Sequence, residues 1–189
     1  MERETSMKVV SLPEGERRDD CLARLCAAFY GTAAGLAPLV AFSGTRHQLF
    51  PAEAARLWAL VDERDSPAAL ALLVLDAQGP GMTLTLATSL VSSREPLARL
   101  LRELALNAPL RVVPSETLDE DFLRQCGIKR WLEGEDGQRT GLTFQHPAGT
   151  LDDLSPPLAV DENALLRRFK HDARFFEGEK QAFVDGLAH

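Results

Sequence analysis

Cysteine is scarce in this chain of 189 residues, which contains only Cys21, Cys26 and Cys126. An odd count without framework spacing argues against a set of disulfides, and no pair has the spacing of zinc ligands. Cys21 and Cys26 lie five positions apart on a predicted helix, so their side chains point in different directions. We therefore expect free thiols, no metal site and a reducing compartment, the cytoplasm.

Long apolar runs and an excess of basic residues are also lacking. No segment approaches the roughly 20 apolar residues that a bilayer-spanning helix needs, and the polar stretch 1–7 does not resemble a secretory signal peptide. The formal net charge is −7, whereas nucleic-acid binding requires a basic face for the phosphates. We therefore expect a protein that binds neither membranes nor nucleic acids.

Familiar catalytic motifs are missing too. The chain has no P-loop, no dinucleotide-binding fingerprint and no Ser-His-Asp order. Its composition, with 45% hydrophobic and 26% charged residues, is that of an ordinary soluble globular protein. Its length suffices for one domain with a full core plus an appendage. Function therefore has to be inferred from the order of the predicted elements.

Apolar periodicity predicts alternating helices and strands. Predicted strands cover 7–12, 68–75, 82–91, 110–113, 128–132 and 139–145, and predicted helices cover 16–30, 51–63, 96–106, 117–126 and 161–176. Thr117 or Asp119 can cap the fourth of these helices, which ends at Gly127 as a left-handed C-cap, and Asp161 can cap the last. The stretch 31–50 is interrupted by Gly35 and Pro38, which predicts a loop able to fold over a pocket. The run 68–75 is apolar throughout and favours a strand buried on both faces, although its alanines and leucines leave a helix open.

The C-terminal part differs in composition from the rest. Four residues of the stretch 146–159 are proline or glycine, so we interpret 147–160 as a linker and 161–189 as a helical extension. Leu165, Leu166 and Phe169 form an apolar stripe on this extension. That stripe must pack either on its own domain or on a neighbour, and a homodimer through this helix is one of the two expectations.

The predicted order, strand, helix, helix, hairpin, helix, strand, helix, hairpin, resembles the GNAT acyltransferase superfamily over 7–145. The local matches are Phe-Leu-Arg-Gln-Cys-Gly-Ile at 122–128 with the hairpin that follows it, and the strand, turn and helix of 84–104. The resemblance implies an α/β domain over 1–146 with a mixed, mostly antiparallel sheet flanked by helices. It also implies acetyl-CoA or another acyl-CoA as donor and a small-molecule or protein amine as acceptor.

The phosphate loop of that family departs from its pattern here. The family places Gln/Arg-x-x-Gly-x-Gly/Ala where this chain has 92–97, so Glu95 and Leu97 stand in glycine positions. Pro96 removes one backbone donor, and the carboxylate of Glu95 would repel phosphates. Ser92 and Glu95 have capping-box spacing, which predicts that this helix satisfies its own first N–H groups.

Five residues at this junction are nevertheless the candidates for contact with CoA. The backbone of Leu90 and Val91 would pair with the pantetheine arm, and Ser92, Ser93 and Arg94 would face its phosphates. Ser92, Ser93 and Arg94 also have a purely structural interpretation, in which the two serines cap the helix and the arginine lies in solvent.

The candidates for acid and base chemistry are weaker. The tyrosine that often serves as acid in the family corresponds to Leu123, and the only tyrosine of this chain is Tyr30. His47 lies in the stretch that would border the acceptor and could act as a general base. Glu116 belongs to an acidic group that could attract an amine. Two hypotheses follow, an acyl-CoA-dependent N-acyltransferase and a non-catalytic GNAT-fold binding or interaction module.

Overall fold

The computed structural model describes residues 6–188, and its strands form a single sheet. The strands are β1 (Lys8–Ser11), β2 (Ala55–Val61), β3 (Pro67–Leu75), β4 (Met82–Ser89), β5 (Leu110–Val112), β6 (Arg130–Glu133) and β7 (Arg139–Leu142). The α-helices are α1 (Glu16–Tyr30), α2 (Ala37–Gly44), α3 (Glu95–Asn107), α4 (Glu120–Gln125), α5 (Glu162–His171) and α6 (Ala173–Leu187). A π-helical turn, Thr45–Leu49, continues α2, and a 3-10 turn covers Leu151–Asp153.

The sheet order is β1-β2-β3-β4-β5-β7-β6. Only β4 and β5 are parallel among the neighbouring pairs, and the other five pairs are antiparallel. The predicted class, a mixed and mostly antiparallel α/β sheet with helices and a C-terminal helical part, is confirmed. The order of elements from β1 to β7 differs from the predicted order by one additional strand, β2, between the second helix and the hairpin β3–β4.

Two apolar layers cover the sheet. Leu70, Leu72 and Val74 of β3 pack with α1, α2 and the C-terminal helices, whereas Ala69 and Leu73 pack with α3 and α4. Because side chains alternate along a strand, a continuous apolar run serves both layers. The prediction that 68–75 is a strand buried on both faces is therefore confirmed.

The helix predicted at 51–63 is wrong. Residues Ala55–Val61 form β2, whose backbone pairs with β1 on one side and β3 on the other. Leu57 packs in one apolar layer and Leu60 in the other. The spacing of apolar residues in this short segment fits both periods, and the two available strand partners decide in favour of the strand.

The loop predicted at 31–50 is also largely wrong, because α2 and its π-helical turn occupy 37–49. Pro38 does not interrupt the helix, since it lies in the first turn, where its missing N–H has no intrahelical partner to lose. Buried Leu39 and Phe42 place α2 against the sheet.

The C-terminal helices pack on their own domain. Leu165 and Phe169 of α5 belong to the same core cluster as α1 and α2, and Phe183 of α6 packs against it. The predicted single helix over 161–176 divides at Asp172, whose side chain accepts a hydrogen bond from the Phe175 N–H at 3.0 Å and begins α6. The predicted N-cap at Asp161 is confirmed.

Among the described residues, none of the helices is both long and apolar enough to cross a membrane. Over the same residues, no group of three His, Cys, Asp or Glu side chains could hold a metal ion.

Candidate functional site

An opening separates β4 from β5. The ladder between these strands covers only two residue pairs, Met82 with Leu110 and Thr83 with Arg111, whereas β4 continues to Ser89. The remainder of the β4 edge therefore has no β5 partner. A cavity of about 180 Å³ lies at this opening. Its lining consists of Ala28, Phe29, Ala87, Thr88, Ser89, Val91, Ser92, Ser93, Arg94, Leu97, Thr117 and Leu118.

A β-bulge interrupts β4 beside this opening. Leu72 of β3 faces Leu86 and the next residue, Leu73, faces Leu84, so Thr85 is the additional residue. The bulge places Leu84 and Leu86 in different apolar layers, although their spacing in the sequence predicts a common face. The Thr85 hydroxyl donates to the Leu72 carbonyl at 3.2 Å. Bulges redirect side chains and end regular pairing, which is why they are common at functional sites.

The start of α3 does not have the capping box that the sequence predicts. The Glu95 N–H donates to Ser93 Oγ at 3.1 Å, and the predicted capping box of Ser92 with Glu95 is wrong because Arg94 holds the N-cap position with no side-chain cap. The helix therefore begins two residues later than a cap at Ser92 requires. In the turn before it, Ser89 Oγ donates to the Ser93 carbonyl at 2.6 Å. The Glu95 carboxylate is 84% exposed and lies 3.6 Å from Arg102.

Arg94 connects the two sides of the opening. Its Nη2 donates to the Thr117 carbonyl at 2.9 Å, and its guanidinium lies 3.8 Å above the Phe122 ring. The loop before α4 is thereby held to the start of α3. Four of the five residues predicted to contact CoA, Val91 to Arg94, line the cavity. Leu90 does not line it: its side chain packs in the apolar layer that contains α1, and its N–H donates to the Ala68 carbonyl at 2.8 Å.

His47 lies outside this cavity, in the π-helical turn. Its Nε2 is 2.8 Å from Glu179 Oε1, and Arg46 Nη1 lies 3.2 Å from Oε2 of the same carboxylate. Glu179 belongs to α6 and its side chain is 8% exposed. The Phe175 ring also contacts the imidazole, at 5.4 Å between centroids. The predicted general base is therefore held by the C-terminal helices.

Glu116 is exposed in the loop before α4 and does not line the cavity. The neighbouring acids have structural partners. Asp119 accepts from the Phe122 N–H at 2.8 Å and caps α4, which decides between the two predicted N-cap residues, Thr117 and Asp119. Glu120 accepts from Arg139 and Arg124, which hold the pKa of its carboxyl below the ordinary value. Asp119 and Glu120, which belong with Glu116 to the predicted acidic group, are thus engaged in holding α4.

A second cavity of about 270 Å³ lies on the α1 and α2 side of β4 and contains the bulge residue. It shares Phe29 with the first cavity. Its lining consists of Phe29, Tyr30, Val40, Ala41, Thr45, Leu49, Leu72, Val74, Thr85, Leu86, Pro157, Leu158, Ala159, Val160 and Glu162. The sequence contains no signal for this site, because its walls come from segments more than 100 positions apart.

Tyr30 and Glu162 are the functional candidates that sequence reasoning missed. Both line the second cavity. The pKa of the Tyr30 phenol is raised, chiefly by its burial, then by Cys26 and by the Glu162 carboxylate. A phenol is protonated at neutral pH, and the raised pKa strengthens that preference, so this hydroxyl can donate a hydrogen bond.

Comparisons with family models and with curated proteins find no match. Solved structures similar to this chain include spermidine N-acetyltransferase from Vibrio cholerae in complex with CoA and spermine, at 12% identity and a TM-score of 0.47, covering 72% of this chain and 95% of that one. Another is histone acetyltransferase HPA2 and related acetyltransferase from Corynebacterium glutamicum, at 12% identity and a TM-score of 0.49, covering 82% and 99%.

A third is an acetyltransferase of the GNAT family from Staphylococcus aureus, at 8% identity and a TM-score of 0.49, covering 72% and 98%. Identities this low say nothing about the substrate of this chain, and the fold assignment depends on its own topology. This protein has a GNAT-like α/β fold. Three features of the described residues establish it: the order of the elements, the one parallel pair β4–β5 with its opening, and the position of β7 between β5 and β6.

Proposed function

We propose that this protein transfers an acyl group from acyl-CoA to an amine, with the donor bound in the opening between β4 and β5. The observation that carries the proposal is the unpaired edge of β4, which ends beside the start of α3 and a bulge at Thr85. The pantetheine arm contains two amides and can pair with a free strand edge as an added strand does.

The phosphate end of the donor would lie at the start of α3. Backbone N–H groups at a helix start favour anions, and Arg94 supplies a positive charge in the cavity lining. The Glu95 carboxylate opposes this binding less than the sequence implies, because it is exposed to solvent and lies near Arg102. Leu90 contributes packing rather than a free N–H.

Acyl transfer to an amine depends mainly on placing the amine nitrogen against the thioester carbonyl and on donors for the developing oxyanion. The bulge residue Thr85 lies on the β4 edge and also lines the second cavity. An acyl-CoA bound at the opening and an amine bound in the second cavity would therefore meet at this residue. His47 and Glu116 line neither cavity, and in this proposal neither touches the reacting atoms.

The second candidate function is a non-catalytic module. The observation that favours it is the contact of Arg94 with Thr117 and Phe122, which closes part of the opening by protein groups. Under this alternative the junction serves to hold α3 to α4, and CoA has no room to bind.

Calorimetric titration of the purified chain with CoA and with acetyl-CoA separates the two functions. The proposal expects saturable binding of both, and loss of binding in Ser92→Trp, which fills the cavity from an exposed position. Ser6→Trp, exposed before the opposite edge strand β1, is the matched control and should bind as the parent does. Absence of binding by the folded parent at millimolar CoA would overturn the acyltransferase proposal and leave the module.

A further inference from the structure

The second cavity has one wall that the resemblance to the GNAT superfamily does not cover. Residues 157–160, together with Glu162, come from the C-terminal part of the chain. The Leu158 N–H donates to the Leu75 carbonyl at 2.9 Å, and the Asp161 N–H donates to Gln48 Oε1 at 2.6 Å. We call residues 157–160 the strap. Hydrogen bonds to β3 and to the π-helical turn hold it near both ends, and it forms one wall of the cavity.

The cavity lining is apolar apart from a few groups. Eleven of its fifteen residues have apolar side chains. Glu162 is the only charged residue of the lining, and Tyr30, Thr45 and Thr85 are the others with polar side chains. An apolar ligand body is favoured along such walls because it removes apolar surface from water, whereas a polyhydroxylated ligand would leave its hydroxyls unpaired.

The negative charge of Glu162 favours a ligand that carries a cationic group at one end of its apolar body. Glu162 is exposed in the first turn of α5 and lines the same cavity as Tyr30, the pKa of whose phenol it helps to raise. A carboxylate and a hydroxyl in one lining can accept hydrogen bonds from an ammonium group, and the carboxylate repels an anion. The ligand that satisfies both parts of this cavity is a cation at one end and apolar over the rest.

We propose that this cavity binds a primary monoamine with an apolar body, its ammonium group at Glu162 and Tyr30 and its body between Phe29 and the strap 157–160. This proposal rests on the proposed function in that the amine would be the acyl acceptor. The amine binds to its own cavity, however, so its binding is measured without CoA. A volume of about 270 Å³ limits the body to a small one, since pockets for drug-sized molecules begin near 300 Å³.

The test is titration of the full chain with hexylamine, hexanol and hexanoate, followed by NMR shifts and calorimetry. These probes share one apolar body and differ in charge. We expect hexylamine to bind about tenfold more tightly than hexanol, because a charge-assisted hydrogen bond is added, and hexanoate to bind most weakly. Equal or tighter binding of hexanol or hexanoate would overturn the proposal and indicate a site for a neutral or acyl chain.

A variant of Glu162 with a matched control tests where the ammonium group binds. Glu162→Gln keeps the shape of the side chain and removes its charge, so hexylamine should lose about tenfold in affinity while hexanol is unaffected. Glu16→Gln is the matched control, because Glu16 is also an acid in the first turn of a helix but lies at the start of α1. Unchanged hexylamine affinity in Glu162→Gln would overturn the assignment of the ammonium group.

Ala41→Phe fills the cavity from α2 and should abolish the shifts caused by hexylamine, with the circular dichroism spectrum of the parent retained. If hexylamine binds this variant as it binds the parent, the cavity is not its site. The parent is titrated with CoA and with hexylamine in separate experiments. Absence of CoA binding by the parent contradicts the proposed function, and absence of hexylamine binding by the parent contradicts this inference.

Discussion

The Arg111 guanidinium lies 2.9 Å from Asp76 Oδ1, and the two side chains are only 10% and 3% exposed. Arg111 also donates to Thr83 Oγ1 at 2.9 Å and to the Ser155 carbonyl. One buried cation thus joins the end of β3, strands β4 and β5, and the segment that leads to the C-terminal helices. His146 adds a buried imidazole, with Nε2 4.0 Å from Asp76 Oδ2.

Asp76→Asn should destabilise the protein strongly. The substitution leaves the Arg111 charge buried without its counter-ion, which costs about 3–5 kcal/mol in comparable buried pairs. The free energy of unfolding, measured by urea denaturation, should fall by that amount. Asp152→Asn, at an exposed position of the 3-10 turn before Ser155, should change stability by less than about 0.5 kcal/mol. Equal effects in the two variants would show that the buried pair is not stabilising.

The stability should fall as the pH falls through the titration range of His146. Burial lowers the pKa of His146, and Arg111 and Arg130 lower it further, while Asp76 acts in the opposite direction. The unfolded chain therefore takes up this proton first, below its ordinary pKa of about 6.5. Stability is present above that pH and is lost as the pH falls from it toward the lower pKa of the folded state.

Unfolding by urea at pH 7.5 and pH 5.5 measures this dependence, with His146→Asn as the comparison. The difference between the two pH values should be smaller in the variant, because the group with the shifted pKa is absent. Parallel losses in the parent and the variant would assign the dependence to other groups.

Two glycines of α6 should respond to alanine in opposite ways. A Cβ at Gly178 meets no atom within 4 Å, so Gly178→Ala should stabilise the helix by about 1 kcal/mol. A Cβ at Gly186 would lie 2.7 Å from the Ala23 Cβ and 3.2 Å from the Asp20 Cα of α1. Gly186→Ala should destabilise the protein by about 1–3 kcal/mol.

Thermal unfolding of these two variants tests the packing of α6 on α1. Because alanine is favoured over glycine by helix propensity at both positions, a loss of stability in Gly186→Ala alone reports the interhelical contact. Stabilisation by both would mean that α6 does not pack on α1 as described.

Arg94→Ala should weaken the binding of CoA. Under the proposed function the guanidinium is the positive charge nearest the phosphates, and its loss should cost about tenfold in affinity, the value of one charged hydrogen bond. Arg99→Ala is the control on the same helix, because Arg99 donates to the Met7 carbonyl away from the opening. A gain of affinity in Arg94→Ala would instead favour the module, in which the arginine closes the opening.

Local patterns in the sequence determined several elements because short-range contacts specify them. The stripe of α1, the continuous apolar run of β3 and the N-caps at Asp119 and Asp161 are as predicted. Gly127 takes the positive φ of 95° that its position after α4 predicts. These features depend on residues within one or two turns of the chain.

Other features depended on partners distant in sequence. The spacing of apolar residues in β2 fits a helix as well as a strand, and pairing with β1 and β3 decided the outcome. Arg94 rather than Ser92 holds the N-cap position of α3, and Ser93 Oγ accepts from the Glu95 N–H, in a turn that also contains the Ser89 hydrogen bond. His47 has the residue type of a general base, yet α6 supplies the carboxylate that holds it.

The sequence by itself determined the class of fold, since the order of its amphipathic elements is compatible with few ways of burying their apolar faces. Only the tertiary structure decided where a ligand can bind. The opening at β4, the bulge at Thr85 and the cavity beside Tyr30 and Glu162 arise where strands separate and distant segments meet. Such geometry depends on long-range packing, which local periodicity does not encode.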